Sequence, residues 1–112
     1  MCNSIAVDAE ERLHISYYDA TEMDLKYAEN TSGGWTVETV DSGGNVGEYS
    51  AIAVDSNGNV HISYYDSDNL DLKYGTNASG SWVFETVDSA GNVGKHASIT
   101  VDSSGMAHIS YY

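Results

Sequence analysis

The chain has 112 residues and a formal net charge of −13, with 17 acidic residues against four lysines and arginines. This length suits one small domain with a modest core. The charge argues against nucleic acid or an anionic membrane as a partner, because both need clustered lysine and arginine. No apolar run approaches the ~20 residues of a membrane-spanning helix. Cys2 is the only cysteine, so a disulfide within the chain is excluded.

One motif organises the sequence. His-Ile-Ser-Tyr-Tyr-Asp stands at residues 14–19 and again at 61–66, and its first five residues return at 108–112. Both intervals are 47 residues (61 − 14 and 108 − 61), and about 27 of 47 positions are identical when the first two copies are aligned. A fixed period of this size is typical of repeat architectures. The repeats divide the chain into a first unit (4–50), a second unit (51–97) and a partial third unit (98–112).

Each unit contains short runs rich in valine, isoleucine, threonine and tyrosine, which predict strands rather than helices. In the first unit, strands a to d are predicted at residues 4–8, 13–18, 24–28 and 35–40. In the second unit they are predicted at 51–55, 60–65, 71–75 and 82–87, and the third unit begins with 98–102 and 107–112.

Turn signals separate these strands. The clearest is Ser-Asn-Gly-Asn at 56–59, which predicts a hairpin between strands a and b. Glu11 stands where this turn has Gly58, so we expect a different turn type in the first unit. The glycine-rich stretches 41–49 and 88–96 are predicted to connect strand d to the next unit.

Four antiparallel strands repeated at this interval predict an all-β fold of four-stranded antiparallel β-propeller blades, with two full blades and a third inner hairpin. Strand b supports the prediction, because Leu13 and Ile15 point to one face while His14 and Ser16 point to the other. Neither face is plainly solvent-like. This pattern favours a sheet that is covered on both sides.

The segment Ile-Ala-Val-Asp-Ser-Asn-Gly-Asn-Val-His-Ile-Ser-Tyr-Tyr-Asp (52–66) resembles the inner hairpin of NHL-type β-propeller blades. It is also similar to the blades of Asp-box-related bacterial surface propellers. The resemblance implies a fold and not an activity. A closed ring needs about four to eight blades, so we expect the chain to associate with itself into a homo-oligomeric ring. Small two-blade bacterial lectins that trimerise are similar in this respect.

The sequence begins and ends within repeat units, and no basic-then-apolar signal segment follows Met1. We therefore expect a piece of a longer protein that is secreted or displayed on the cell surface. A cytosolic protein is the alternative.

The predicted strand order places the b–c and d–a loops at one end of the blades, where about half of the acidic residues gather. At this end the two copies differ most at Glu48-Tyr49 against Lys95-His96, which favours exposure of these residues. The aromatic side chains that begin strand d are candidates for stacking on a sugar ring, with packing between blades as the alternative. The candidate ligand-binding residues are Trp35, Trp82, Asp19, Asp66, Glu48, Tyr49, Lys95 and His96.

The sequence indicates no cofactor, although calcium is an alternative use of the acidic residues. Calcium needs six to eight converging oxygens, and no EF-hand spacing is present. Asp8, Asp55 and Asp102 each precede a turn, so we expect them to cap backbone amides. The three repeated histidines, one to a unit, lie too far apart to share zinc. Hydrogen bonds to a neighbouring strand or a serine, which would hold blades together, are expected instead.

Enzyme activity is not expected. The best-known Asp-box enzyme, sialidase, grips its substrate with an arginine cluster, and Arg12 is the only arginine here. No nucleophile elbow or phosphate-binding loop is present. We predict a non-catalytic propeller module that binds a carbohydrate and assembles as a ring, with a purely structural or protein-interaction unit as the alternative.

Overall fold

The computed structural model describes residues 3–31 and 33–112, so Cys2 lies outside the described residues. The first four strands are β1 (Asn3–Val7), β2 (Leu13–Asp19), β3 (Asp24–Thr31) and β4 (Gly34–Asp41). The next four are β5 (Val46–Val54), β6 (Val60–Asp66), β7 (Asp71–Thr76) and β8 (Val83–Asp88). The last two are β9 (Ser98–Val101) and β10 (Ala107–Ser110).

The strands form two four-stranded antiparallel sheets and one two-stranded sheet. Strands β1 to β4 form the first sheet, β5 to β8 form the second sheet, and β9 with β10 form the terminal hairpin, each in sequence order. The predicted all-β class with four-stranded antiparallel sheets is confirmed. Within the described ranges, no helix has the length and apolar character that crossing a membrane requires.

Each sheet has a lower end and an upper end. The lower end carries the β1–β2 and β3–β4 turns and their equivalents in the second sheet. The upper end carries the β2–β3 turn, the β4–β5 connection and their equivalents. At the upper end, the Val46 amide donates to the Met23 carbonyl at 3.1 Å, so the connection between sheets is tied to the preceding turn.

The sheets pack face to face through their first strands. Strands β1 and β2 contact β5, and β5 and β6 contact β9. The core between the first two sheets includes Leu25 and Tyr27 on one side and Ile62 and Tyr64 on the other. Strand β6 is buried along its whole length because it is covered on both faces. This is the double-covered sheet that the sequence pattern predicts.

The first sheet is covered on one face only. His14 and Ser16 face the second sheet and are 2% and 0% exposed. On the other face, Ile5 and Val7 are 58% and 60% exposed. Their equivalents in the second sheet, Ile52 and Val54, are buried and partly buried respectively.

Two details differ from the sequence predictions. Strand β5 begins at Val46, inside the predicted connection 41–49, and it pairs with β6 through two register shifts. Gly47 makes this course possible, since its φ is +110° and an added Cβ would lie 2.8 Å from the Leu25 Cα. Ordinary side chains are excluded there by both sterics and backbone conformation.

The predicted change of turn type at Glu11 is wrong. Glu11 has φ 66°, close to the 83° of Gly58, and its amide donates to the Asp8 carbonyl at 3.0 Å. The Gly58 amide donates to the Asp55 carbonyl at the same distance. The first unit therefore keeps the turn and holds a non-glycine residue in the left-handed region, which costs roughly 1 kcal/mol.

Candidate ligand-binding site

The repeated aspartates and histidines form a chain of hydrogen bonds at the lower end. Asp8 Oδ1 accepts from the Glu10 and Arg12 amides at 2.8 and 2.9 Å. Its Oδ2 lies 2.8 Å from His14 Nε2, and His14 Nδ1 lies 2.6 Å from the Tyr27 hydroxyl. Because one carboxylate oxygen caps the turn, the predicted capping role is confirmed.

The second unit repeats this arrangement with Asp55, His61 and Tyr74. In the terminal hairpin, Asp102 again pairs with His108, but the His108 side chain is 61% exposed. The predicted partner on a neighbouring strand is confirmed in the two full units, where His14 contacts Tyr27 of β3 and His61 contacts Tyr74 of β7. The predicted joining of blades is wrong, because these bonds and those to the turn aspartates lie within one sheet. The imidazoles therefore hold strands together within a sheet.

The electrostatics of these groups fit a structural role. The hydrogen bonds from His14 and from the Arg12 amide lower the pKa of Asp8 far below its ordinary value. Burial alone would raise the pKa of Asp55, but hydrogen bonds from His61 and nearby amides lower it overall. Burial raises the pKa of Tyr27 strongly, and the charge of Glu29 adds to the effect. The aspartates stay ionised and the tyrosines stay neutral at neutral pH.

Two of the predicted ligand residues at the upper end, Asp19 and Asp66, accept hydrogen bonds from their own turns. Asp19 Oδ1 accepts from the Thr21 and Glu22 amides, and Asp66 Oδ1 accepts from the Asp68 and Asn69 amides. Asp66 is 2% exposed, so its carboxylate turns inward rather than toward a ligand. Over residues 3–31 and 33–112, no group of three or more acidic, histidine or cysteine side chains is placed to hold a metal ion.

Four of the predicted ligand residues do come together at the upper end. The Tyr49 and His96 rings meet edge to face with centroids 4.7 Å apart, and Tyr49 also contacts the Tyr65 ring at 6.0 Å. Lys95 Nζ lies 5.4 Å from the Tyr65 ring centre, and Glu48 accepts a hydrogen bond from Ser67. We call these residues the upper aromatic cluster: Glu48, Tyr49, Tyr65, Ser67, Lys95 and His96.

The backbone presents two rings of this cluster in an unusual way. Tyr49 has φ 54° and His96 has φ 55°, both in the left-handed region that side chains rarely adopt. Tyr49 is half-buried and His96 is exposed. Tyr49 lies two residues after Gly47, whose backbone packs against Leu25. In the same way, His96 lies two residues after Gly94, whose backbone packs against Leu72. The close approach of the glycine fixes where the next two side chains stand.

The tryptophans lie elsewhere, at the lower end, and the structure separates their roles. Trp82 packs against the core, with its ring edge-on to Tyr27 at 5.4 Å and its indole N–H donating to Glu38. Trp35, the equivalent residue of the first unit, is 54% exposed on β4. The packing alternative therefore describes Trp82, while Trp35 remains accessible.

Sequence reasoning missed Tyr27 and Glu38. The signal was present, since these two residues recur as Tyr74 and Glu85. Repetition alone does not say which repeated side chains meet across two sheets.

Comparison with known proteins gives a likeness among solved structures. The sequence matches no family model, and no curated protein matches it. Among solved structures, it is similar to "a fucose lectin from Kordia zhangzhouensis in complex with methyl-fucoside". The TM-score is 0.58 at 19% identity, over 98% of this chain and 82% of the other. Identity this low shows the shared all-β fold alone, and the resemblance to NHL-type or Asp-box blades stays a prediction.

Proposed function

We propose that this chain is a non-catalytic β-propeller module that binds a carbohydrate through the upper aromatic cluster and assembles with further copies into a ring. The observation that carries the ligand proposal is the pair of Tyr49 and His96 rings, 4.7 Å apart at the surface. Aromatic faces suit the C–H face of a sugar. Charged groups beside them, Lys95 and Glu48, suit its hydroxyls.

Two further features support a sugar. The neighbouring solved structure is described as a fucose lectin in complex with methyl-fucoside, and this chain shares its fold. The cluster also contains Glu48-Tyr49 of the first unit and Lys95-His96, which stand in their place in the second unit. These loop residues differ between the units while the strands around them are alike, which is typical of binding residues on a shared scaffold.

Ring assembly is supported by the open faces. Ile5 and Val7 of the first sheet are exposed where their equivalents in the second sheet are covered. An isolated blade with apolar faces is costly in water, and stacking with neighbours is the usual remedy in repeat folds.

The absence of catalysis is part of the proposal. Arg12, the only arginine, is held by Asp8 and Glu10 at the lower end and is not available to grip an anionic substrate. The aspartate and histidine side chains of the Asp-His-Tyr arrangements in the two full units are buried and paired with one another. These features favour binding over reaction.

The test is calorimetric titration with methyl-fucoside and a glycan array, with and without calcium. Tyr49→Gly and His96→Gly are the decisive variants, because glycine favours the left-handed backbone and removes only the ring. We expect each to weaken sugar binding about tenfold, which corresponds to about 1.4 kcal/mol. Thr36→Ala, on the exposed strand β4, is the control and keeps full affinity. No binding on the array, or unchanged affinity in both glycine variants, would refute the proposed site.

A further inference from the structure

The contact between the two full sheets shows which residues of one sheet bind the next sheet in the stack. Trp82, which directly precedes β8, donates its indole N–H to Glu38 of the first sheet and lies edge-on to Tyr27. Tyr64 of the second sheet donates to Asp41 of the first at 2.7 Å. The receiving surface is therefore made by one tyrosine of the third strand and two acidic residues of the fourth.

The second sheet carries the same receiving surface. Tyr74, Glu85 and Asp88 stand exactly one repeat beyond Tyr27, Glu38 and Asp41. Asp88 is already engaged, since the Tyr111 hydroxyl of the terminal hairpin donates to it at 2.6 Å. This bond repeats the Tyr64 to Asp41 bond, so the hairpin lies against the second sheet as the second sheet lies against the first.

The remaining part of this surface is open. Within residues 3–31 and 33–112, the terminal hairpin is a two-stranded sheet, and no tryptophan of this chain lies beside it in the place that Trp82 takes against the first sheet. A groove of about 400 Å³ lies there instead, lined by Tyr74, Glu85, Val87, Met106 and Tyr111 among others. Among the described residues, no hydrogen-bond donor reaches the Glu85 carboxylate, although its equivalent Glu38 accepts from Trp82.

A tryptophan equivalent to Trp82 is present on the first sheet of the same chain. Trp35 is one repeat before Trp82 and is 54% exposed on β4. Its own sheet lies at the opposite end of the stack from the groove, since the second sheet lies between the first sheet and the hairpin. Trp35 therefore reaches the groove only from another molecule.

We propose that this groove receives Trp35 of a second copy of the chain, with the indole N–H donating to Glu85 and the ring against Tyr74. The inference deepens the ring assembly of the proposed function and rests on it. The residues that receive Trp35 are those that receive Trp82 within the chain, so the chemistry of the contact already exists in the molecule. A second copy is the occupant because it carries Trp35, the equivalent of Trp82.

The terminal hairpin has a defined place in this assembly. Its β9–β10 register (Ser98 opposite Ser110, Val101 opposite Ala107) matches the β1–β2 register (Ser4 opposite Ser16, Val7 opposite Leu13). The β9–β10 hairpin of one copy and the β1–β2 hairpin of the incoming copy can therefore take the same place beside β3 and β4 of the incoming copy. Trp35 contacts Tyr74 and Glu85 whichever of the two hairpins occupies that place.

The experiment measures particle mass by native mass spectrometry and sedimentation over a range of concentrations, using the full chain. We expect a multiple of the 12.0 kDa chain. Trp35→Ala and Glu85→Gln are each expected to raise the dissociation constant of the assembly at least tenfold, and the double variant no further than the stronger single one. Thr36→Ala, a neighbour of Trp35 in β4, is the matched control and keeps the assembly.

Fluorescence provides a second readout. In a Trp82→Phe variant, Trp35 is the only tryptophan, and its emission should shift to the blue as the concentration rises through the assembly transition. A monomer at all concentrations, or an assembly that Trp35→Ala leaves intact, would overturn the inference. So would methyl-fucoside bound to the Glu85 groove of a monomer. Loss of sugar binding in Tyr49→Gly with assembly intact would leave the inference standing, so the two proposals fail separately.

Discussion

The hydroxyl of Ser63 offers a sharp test of how the sheets meet. Ser63 is 0% exposed, and its Oγ has no hydrogen-bond partner among the described protein atoms. Its equivalent in the first sheet, Ser16, pairs with Ser50 of the second sheet at 2.9 Å. One repeat after Ser50 the chain has Ala97, so the partner hydroxyl is absent where the hairpin covers the second sheet.

Ala97→Ser should supply that partner. A hydrogen bond between neutral groups contributes about 1 kcal/mol net, and an unsatisfied buried hydroxyl costs about 1–3 kcal/mol. We therefore expect Ala97→Ser to raise the free energy of unfolding by about 1 kcal/mol. Ser63→Ala should be neutral or stabilising, because it removes the unpaired group. Ser16→Ala should be destabilising by about 1–2 kcal/mol, since it leaves the buried Ser50 hydroxyl without its partner.

Urea denaturation followed by circular dichroism at fixed protein concentration measures all three variants. Equal slopes against urea would show that the change lies in stability and not in the compactness of the unfolded chain. The reasoning fails if Ser63→Ala destabilises the protein as much as Ser16→Ala does, because the two serines would then be equally well bonded.

Three further predictions concern the turns, the histidines and pH. Glu11→Gly should stabilise the protein by about 0.5–1 kcal/mol in urea denaturation, because relief of the left-handed strain exceeds the added chain entropy; a loss of stability would show that Glu11 is not strained. His61→Phe should lower the free energy of unfolding by about 2–4 kcal/mol, because Asp55 Oδ2 and the Tyr74 hydroxyl lose their contact with His61. His108→Phe, at an exposed site, should change it by about 0.5 kcal/mol or less, and equal effects would contradict this. The pKa values of Asp8, Asp55, Asp88 and Asp102 are lowered from 3.8, so their contribution to stability is present above about pH 4 and is lost as pH falls through the folded values. The pKa values of Tyr27 and Tyr64 are raised from 10.0, chiefly by burial, so stability should also fall as pH rises above 10, and a flat profile of urea midpoints at both extremes would be inconsistent with these shifts.

Four residues of the candidate site could be predicted from the sequence. The contrast between Glu48-Tyr49 and Lys95-His96 was visible as a difference between copies, and the structure brings these four residues together. The gathering of acidic residues at the upper end predicts ligand binding by Asp19 and Asp66, but their carboxylates accept hydrogen bonds from amides of their own turns. A residue count at one end does not reveal which carboxylates are already bonded.

Trp35 and Trp82 show the limit most clearly. They occupy the same place in the repeat, and strand propensity treats them alike, yet one is 54% exposed and the other packs against the core. The difference arises because a sheet stands on one side of Trp82 and not of Trp35. The sequence by itself determined the period, the strands, the turns and the capping aspartates, since these depend on local backbone chemistry and side-chain alternation. Only the tertiary structure decided which repeated side chain meets a partner, because that depends on how many sheets are stacked and on which side each neighbour lies.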